Sequence, residues 1–208
     1  KAFYEKLVAW AKTYEVGVVS DLAYGALGYQ GYENPSFLST PGAKDVGIEF
    51  YTFSKTFNMA GWRLAFAAGN EQMIEALNLI QDHLFVGIFP ALQEAGIAAL
   101  SDPKSEEAVA QLNATYDSRR DAFVQAAAKI GWQAFPSRGS FYAWMPVPEG
   151  YTSESFADLL LEKAHVAVAP GKGFGLAGDA YVRIGLLVEP ERLVEAVNRI
   201  ANLHLFNN

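Results

Sequence analysis

The strongest constraint on this fold is an alternation of short, β-branched apolar runs with stretches whose apolar residues recur at helical spacing. Parallel strands need a crossover long enough to hold a helix, so this alternation is the pattern of a largely parallel sheet and the expected class is α/β. Residues 2–14 place Phe3, Leu7, Trp10, Ala11 and Tyr14 on one helical face. Val16 to Ser20 is a compact run ending at Asp21 that predicts a buried strand. Leu22 to Lys44 carries Gly25, Gly28, Gly31, Gly42, Pro35 and Pro41, the composition of a long irregular loop of the kind usually kept for function. Ile48 to Phe53 and Trp62 to Ala68 predict two more strands, all three buried together, and helical spacing returns over Glu71 to Gln81.

Helical patterning covers Pro90 to Leu100 and Pro103 to about Ile130, with Pro103 near a first turn and Gly131 at a C-terminal stop. Beyond Gly131 the texture changes. A strand over Ser140 to Met145 is followed by a helix over Ser153 to Ala164 and a strand over Val166 to Ala169. The Gly-rich GKGFG at 171–175, a strand over Tyr181 to Leu187 and a helix from Pro190 complete a separate small α+β layer. The boundary falls in or near the long helix, around residues 100–115, with no Ser- or Gly-rich linker and no internal repeat.

Composition narrows the function. At about 150 residues per domain, 208 residues make one large domain or two modest ones. A hydrophobic content of 51%, with 14 Phe, 10 Tyr and 4 Trp, excludes a disordered chain. The net charge of -7 argues against nucleic-acid or anionic-membrane partners. With no Cys there is no disulfide framework, thiolate metal site or Cys nucleophile, and three His far apart leave no expectation of a metal. No run approaches the roughly 18 apolar residues of a spanning helix, and the reading is of a cytoplasmic protein. The opening at Lys1, without an initiating Met or a capping residue, reads as a cut into an existing helix, so a fragment of a longer chain is expected.

Two stretches carry chemistry. In TFSKTFNMAGWR, Lys55 follows an apolar strand, with Thr52 and Ser54 before it and Arg63 after it. A lysine in a partly dry pocket becomes a nucleophile able to form a Schiff base with an aldehyde, and hydroxyls beside an Arg suit a phosphate dianion. A solvated Lys at a loop edge and a structural Arg explain the same letters. In SDLAYG, Asp21 closes its strand and Tyr24 follows. The carboxyl ends of parallel strands are where open α/β sheets place ligands. There an ionised Asp can keep a pyridine nitrogen protonated and a Tyr hydroxyl can donate to a ring oxygen. A strand-terminal Asp capping a turn is the plainer reading.

Together, SDLAYG and TFSKTFNMAGWRLAF resemble, closely and in order, the central motifs of the pyridoxal-phosphate aminotransferases of fold type I, class I/II. GSFYAW and YVRIGLL resemble the small-domain motifs that close that family's active site, so the resemblance runs essentially the whole length. It implies residues 1–105 as the C-terminal part of the large cofactor domain and 106–208 as the small domain. By the same resemblance, Lys55 is the catalytic Schiff-base lysine and proton shuttle, Asp21 the pyridine-nitrogen partner and Tyr24 the ring-oxygen donor. Thr52, Ser54 and Arg63 match phosphate ligands, and Arg183 matches the residue that clamps the substrate α-carboxylate. The implied cofactor is pyridoxal 5'-phosphate, and the implied reaction is transamination between an amino acid and a 2-oxo acid in a homodimer. A C–S lyase or other fold-type-I reaction and a non-catalytic module are the alternatives. The motifs are most similar to the branch of LL-diaminopimelate, methionine and aromatic aminotransferases, without choosing among them.

Other features read more plainly. GKGFG lacks the following Lys-Ser/Thr of a phosphate loop, and the resemblance makes it a loop near the active-site mouth. Tyr29, Phe141, Tyr142 and Trp144 could line a side-chain pocket, although aromatics at strand spacing more often build core. His83 and His165 are expected as partly buried structural groups, with His204 in a C-terminal helix. Members of the resembled family are about twice this length. The part absent here would supply the loop that cradles the phosphate, the aromatic that stacks on the ring and an Asn to the ring oxygen.

Overall fold

The computed structural model describes residues 2–135 and 137–206. The chain divides into two compact units, one running to Leu112 and the other beginning at Asn113.

The first unit contains α1 (Ala2–Tyr14), β1 (Val18–Asp21), α2 (Ala43–Val46), β2 (Gly47–Thr52), α3 (Phe53–Thr56), β3 (Ala65–Gly69), α4 (Glu71–Leu84) and α5 (Pro90–Ser101). α6 (Ser105–Lys129) then carries the chain past Leu112. The strands form one sheet in the order β1-β2-β3. β1 and β2 are parallel, Val18 opposite Gly47 and Asp21 opposite Phe50, while β3 returns antiparallel with Ala65 opposite Thr52. Local signals account for the helix starts: the Asn70 side chain accepts the Met73 N–H at 3.1 Å, and Pro90 occupies the first turn of α5.

Two expectations fail here. Of the face assigned to α1, Phe3, Trp10 and Tyr14 are exposed. The helix instead packs Tyr4, Leu7 and Val8 against Phe37 and Ala43, because the loop after β1 folds back on that side. Nor are the three strands buried together. Residues along β1 alternate half-buried and exposed, the mark of a sheet covered on one face, and β3 is mostly exposed. β3 also starts later than expected, since residues 60–62 form a 3-10 turn and Arg63 is left-handed (φ 53°).

The loop between β1 and β2 is held by Glu49, which is 7% exposed. Its carboxylate accepts from the Ser20 hydroxyl (2.9 Å), the Ser36 hydroxyl (2.6 Å) and the Phe37 N–H (2.7 Å). Each bond removes a polar group from an otherwise costly burial, so strand and loop are fastened at one point. Asn34 fixes the next stretch, donating from its amide to the carbonyls of Tyr24 (3.1 Å), Gly25 (3.3 Å) and Leu27 (3.1 Å). Gly28 is required there: a Cβ would lie 1.7 Å from the Tyr32 carbonyl oxygen.

The second unit holds β4 (Tyr142–Pro146), α7 (Ser153–Leu159) running into a π-helical turn at Leu160–Ala164, β5 (Ala169–Pro170), β6 (Tyr181–Gly185) and α8 (Pro190–Ala201). Its sheet is antiparallel in the order β4-β6-β5, with Arg183 opposite both Trp144 and Ala169. Ala143, Met145, Val182 and Ile184 face a core built around Trp132 and Phe156; Tyr142, Trp144, Tyr181 and Arg183 alternate onto the other face. Trp132 satisfies its ring N–H on the Pro146 carbonyl at 2.8 Å. The strands are shorter than their apolar runs. β5 is only two residues long, because His165 is left-handed (φ 56°) and Val166 donates back to the Leu160 carbonyl at 3.1 Å. His83 and His165 are exposed rather than buried, and His204 lies beyond the end of α8. His83 is on the last turn of α4, where its ring bonds the Leu79 carbonyl (2.8 Å), and His165 is the left-handed residue that ends the π-helical turn.

Ser153, fully buried, donates its hydroxyl (2.7 Å) and its N–H (3.1 Å) to Asp179 Oδ1, and its oxygen accepts the Lys172 N–H at 3.2 Å. These donors hold the Asp179 carboxyl below its ordinary value, and the Glu154 carboxylate at 2.6 Å from Nζ raises Lys172 above its own. No helix among the described residues is long and apolar enough to cross a membrane, and no cluster among them has the ligands for a metal ion.

Two outcomes are expected. Glu49→Ala strands buried donors, so it should lower the unfolding free energy by about 2–3 kcal/mol, read from the urea midpoint at unchanged slope; a loss below about 0.5 kcal/mol would contradict the role given to this carboxylate. Because the folded Asp179 carboxyl is depressed, its bonds to Ser153 stabilise above the unfolded value and are lost as pH falls through the folded one. Ser153→Ala should therefore move the Asp179 carbon titration in NMR upward, toward an ordinary carboxylate; no movement would contradict the assignment.

Candidate active site

β1 and β2 are parallel and β3 begins beside the end of β2, so Asp21, Thr52 and the residues flanking them emerge at one edge of the first sheet. Asp21 ends β1 and accepts the Ala23 N–H on Oδ1 at 3.2 Å. That bond starts the turn carrying Tyr24, and among the described residues no cation pairs with the Asp21 carboxylate. Tyr24 is half-buried, and its ring centroid lies 6.0 Å from Lys55 Nζ.

Thr52 caps α3 by accepting the Ser54 N–H at 3.2 Å, and its hydroxyl donates to Ser54 Oγ at 3.0 Å. The Ser54 hydroxyl proton is thereby turned to other acceptors. Lys55 is on the same short helix between buried Phe53 and Thr56, and it is half-buried. Arg63 is exposed and donates from Nη1 to the Ala60 carbonyl at 3.2 Å, with no carboxylate partner among the described residues. It borders a groove of about 790 Å³ lined also by Trp62, Phe66, Phe85 and Phe89. A left-handed arginine costs about 1 kcal/mol, and the bend it makes turns the chain from the α3 region into β3. A primary amine, a carboxylate, a phenol, two hydroxyls and a guanidinium thus share one sheet edge.

The other named arginine belongs to the second unit. Arg183 is on the central strand β6, its guanidinium carbon 4.1 Å from the Tyr142 ring centroid and 4.2 Å from that of Phe174. Two aromatic rings lie against the cation, and no carboxylate among the described residues pairs with it. Of the four aromatics weighed as pocket or core, Tyr29, in the loop after β1, and Phe141, just before β4, are buried, whereas Tyr142 and Trp144 on β4 share the face of Arg183. Sequence reasoning missed Glu49, Asn34, Ser153 and Asp179. Glu49 had a signal, a lone carboxylate within an apolar strand run, whereas the others act by contacts distant in sequence.

Residues 1–200 match the family model of aminotransferase class I and II. The chain is 57% identical over 98% of its length to L-glutamine–4-(methylsulfanyl)-2-oxobutanoate aminotransferase of Bacillus subtilis, covering 51% of that protein. It is 46% identical over 95% of its length to LL-diaminopimelate aminotransferase of Moorella thermoacetica, covering 50%. An apo-BacF structure from Bacillus subtilis superimposes with a TM-score of 0.94 at 46% identity, over all of this chain and 53% of that one. The chain spans about half the length of the curated relatives it matches. On this match and this fold, the chain belongs to the aminotransferase class I and II family of fold type I, which uses pyridoxal 5'-phosphate.

Proposed function

We propose that the protein catalyses pyridoxal-phosphate-dependent transamination between an L-amino acid and a 2-oxo acid. The observation that supports this most is the gathering of Asp21, Tyr24, Thr52, Ser54, Lys55 and Arg63 at one sheet edge. Their chemistry fits the cofactor, since each polar group of pyridoxal phosphate has a counterpart of the right kind among them. When bound, the cofactor supplies an electron sink for the pair left on the substrate Cα.

The chain's own residues do the rest. The Asp21 carboxylate keeps the proton on the pyridine nitrogen, and the Tyr24 hydroxyl donates to the ring oxygen. Ser54 Oγ and the Arg63 guanidinium take phosphate oxygens, which charge-assisted donors bind most strongly, and the Thr52 hydroxyl belongs to the same phosphate group of ligands by turning the Ser54 proton toward it. Lys55 Nζ is the site of cofactor attachment and, as a free amine, the base that removes the Cα proton. Arg183, packed against the rings of Tyr142 and Phe174, takes the α-carboxylate through two parallel N–H donors. In this reading residues 1–105 are the C-terminal part of the large cofactor domain and 106–208 the small one. The exposed Phe3, Trp10, Leu84, Phe85 and Val86 leave apolar side chains to be covered, which fits a homodimer. A cytoplasmic setting suits a chain without cysteine.

In the full-length protein, Lys55→Ala should lower kcat by at least about a thousand-fold in a coupled 2-oxo acid assay; near-normal turnover would overturn the assignment. Arg183→Lys should raise KM for amino acid and oxo acid by about ten-fold or more while moving kcat less, because a point charge cannot replace a bidentate fork.

A further inference from the structure

Phe174, one of the two rings packed against the Arg183 guanidinium, is 53% exposed. Its own burial therefore does little to hold it, and its place depends on its backbone. That backbone is a 3-10 turn, Gly171–Phe174, closed by Gly175 at φ 126°. The turn lies directly against the next one: a Cβ on Gly171 would sit 2.2 Å from the Gly178 carbonyl oxygen, and a Cβ on Gly178 would sit 2.2 Å from that of Gly171.

The two turns are fastened to α7 through one buried hydroxyl. Ser153 Oγ accepts the Lys172 N–H from the first turn and donates to Asp179 Oδ1 in the second, and Asp179 Oδ1 also takes the Ser153 N–H. The N-terminus of α7 does not need this hydroxyl for capping, because Thr152 and Ser155 already form a reciprocal capping box. A side chain that is fully buried, hydrogen-bonded on both sides and spare to the helix it starts has its effect elsewhere. The element it fixes is the turn whose last residue covers the Arg183 guanidinium and also meets Trp144 edge-on at 5.9 Å.

We propose that Ser153 and Asp179 are positioning residues for Arg183, acting through the 171–174 turn and the ring of Phe174. The inference rests on the reading of Arg183 as the carboxylate clamp for its functional meaning, though not for its geometry. A guanidinium that must meet a carboxylate with two parallel bonds gains from being held in one plane beforehand. Loosening the turn releases one of the two rings and leaves Tyr142 alone against the cation.

The test uses Ser153→Ala, Asp179→Ala and Asp179→Asn, the last of which keeps an oxygen acceptor for Ser153. Asp179 is half-exposed, so its variants remain informative should Ser153→Ala not fold. In the 208-residue chain, ¹⁵N relaxation at Arg183 Nε, assigned by its loss in Arg183→Lys, is read beside amide exchange at Lys172. In the full-length enzyme, KM and kcat are read for amino acid and oxo acid. The expected result is a more mobile Arg183 Nε and a KM raised about five-fold or more with kcat within about two-fold in both Ala variants, with Asp179→Asn restoring near-normal values. Faster Lys172 exchange with unchanged Arg183 relaxation and unchanged KM would overturn the proposal and leave the network purely structural. If Arg183 Nε responds to the variants but the unsubstituted full-length protein does not transaminate, the positioning device stands and the proposed function fails.

Discussion

A carboxylate buried among neutral donors, with no cation beside it among the described residues, determines where the first unit puts its chemistry. Glu49 points from β2 into the space between β1 and the 36–37 corner, and it takes one hydrogen bond from Ser20 on β1 and two at the corner, from the Ser36 hydroxyl and the Phe37 N–H. Without that point of attachment the long connection from Asp21 to Ala43 would be an untethered loop, and the turn carrying Tyr24 would have no fixed relation to Lys55. Asn34 extends the same logic by holding the carbonyls of Tyr24, Gly25 and Leu27 in that turn. The reactive groups are thus half-exposed or exposed, whereas Glu49, which fastens the loop leading to them, is buried and bonded on both oxygens. That division is what a binding edge requires: donors and acceptors left open to a ligand must be positioned by residues that have none left to offer.

The second unit repeats the arrangement with a cation. Arg183 has no acidic partner among the described residues, and its neighbours are the rings of Tyr142 and Phe174 rather than a carboxylate. An ion pair there would fix the guanidinium but would compete with any incoming carboxylate. Aromatic rings pack against the charge and leave its donors available. The antiparallel sheet makes this possible by sending Met145 and Val182 into the core while their neighbours Trp144 and Arg183 alternate outward.

How much of this was legible in the sequence follows from the range of each interaction. Asp21, Thr52, Ser54 and Lys55 lie at strand ends, and strand ends are visible as the last letters of apolar runs; those residues do share one edge. The α/β class was legible for the same reason, since alternating periodicities are local. What was not legible depends on contacts across the chain. The aromatic stripe of α1 has the spacing of a core face, yet Phe37, from a loop whose path no local pattern reveals, covers a different side of the helix. Val166 to Ala169 has strand composition, but a left-handed His165 and a π-helical turn consume most of it. Ser153 reads as an ordinary first-turn serine; its bond to Asp179 joins residues far apart in sequence and leaves no local trace.

The most direct test of the cofactor edge is chemical. The full-length protein is incubated with pyridoxal 5'-phosphate, reduced with borohydride and digested, and the modified peptide is mapped by mass spectrometry. The expected result is a single modification on Lys55, weakened when Asp21 is replaced by alanine. Modification at a different lysine, or spread across surface lysines with Lys55 untouched, would contradict the claim that this sheet edge holds the cofactor.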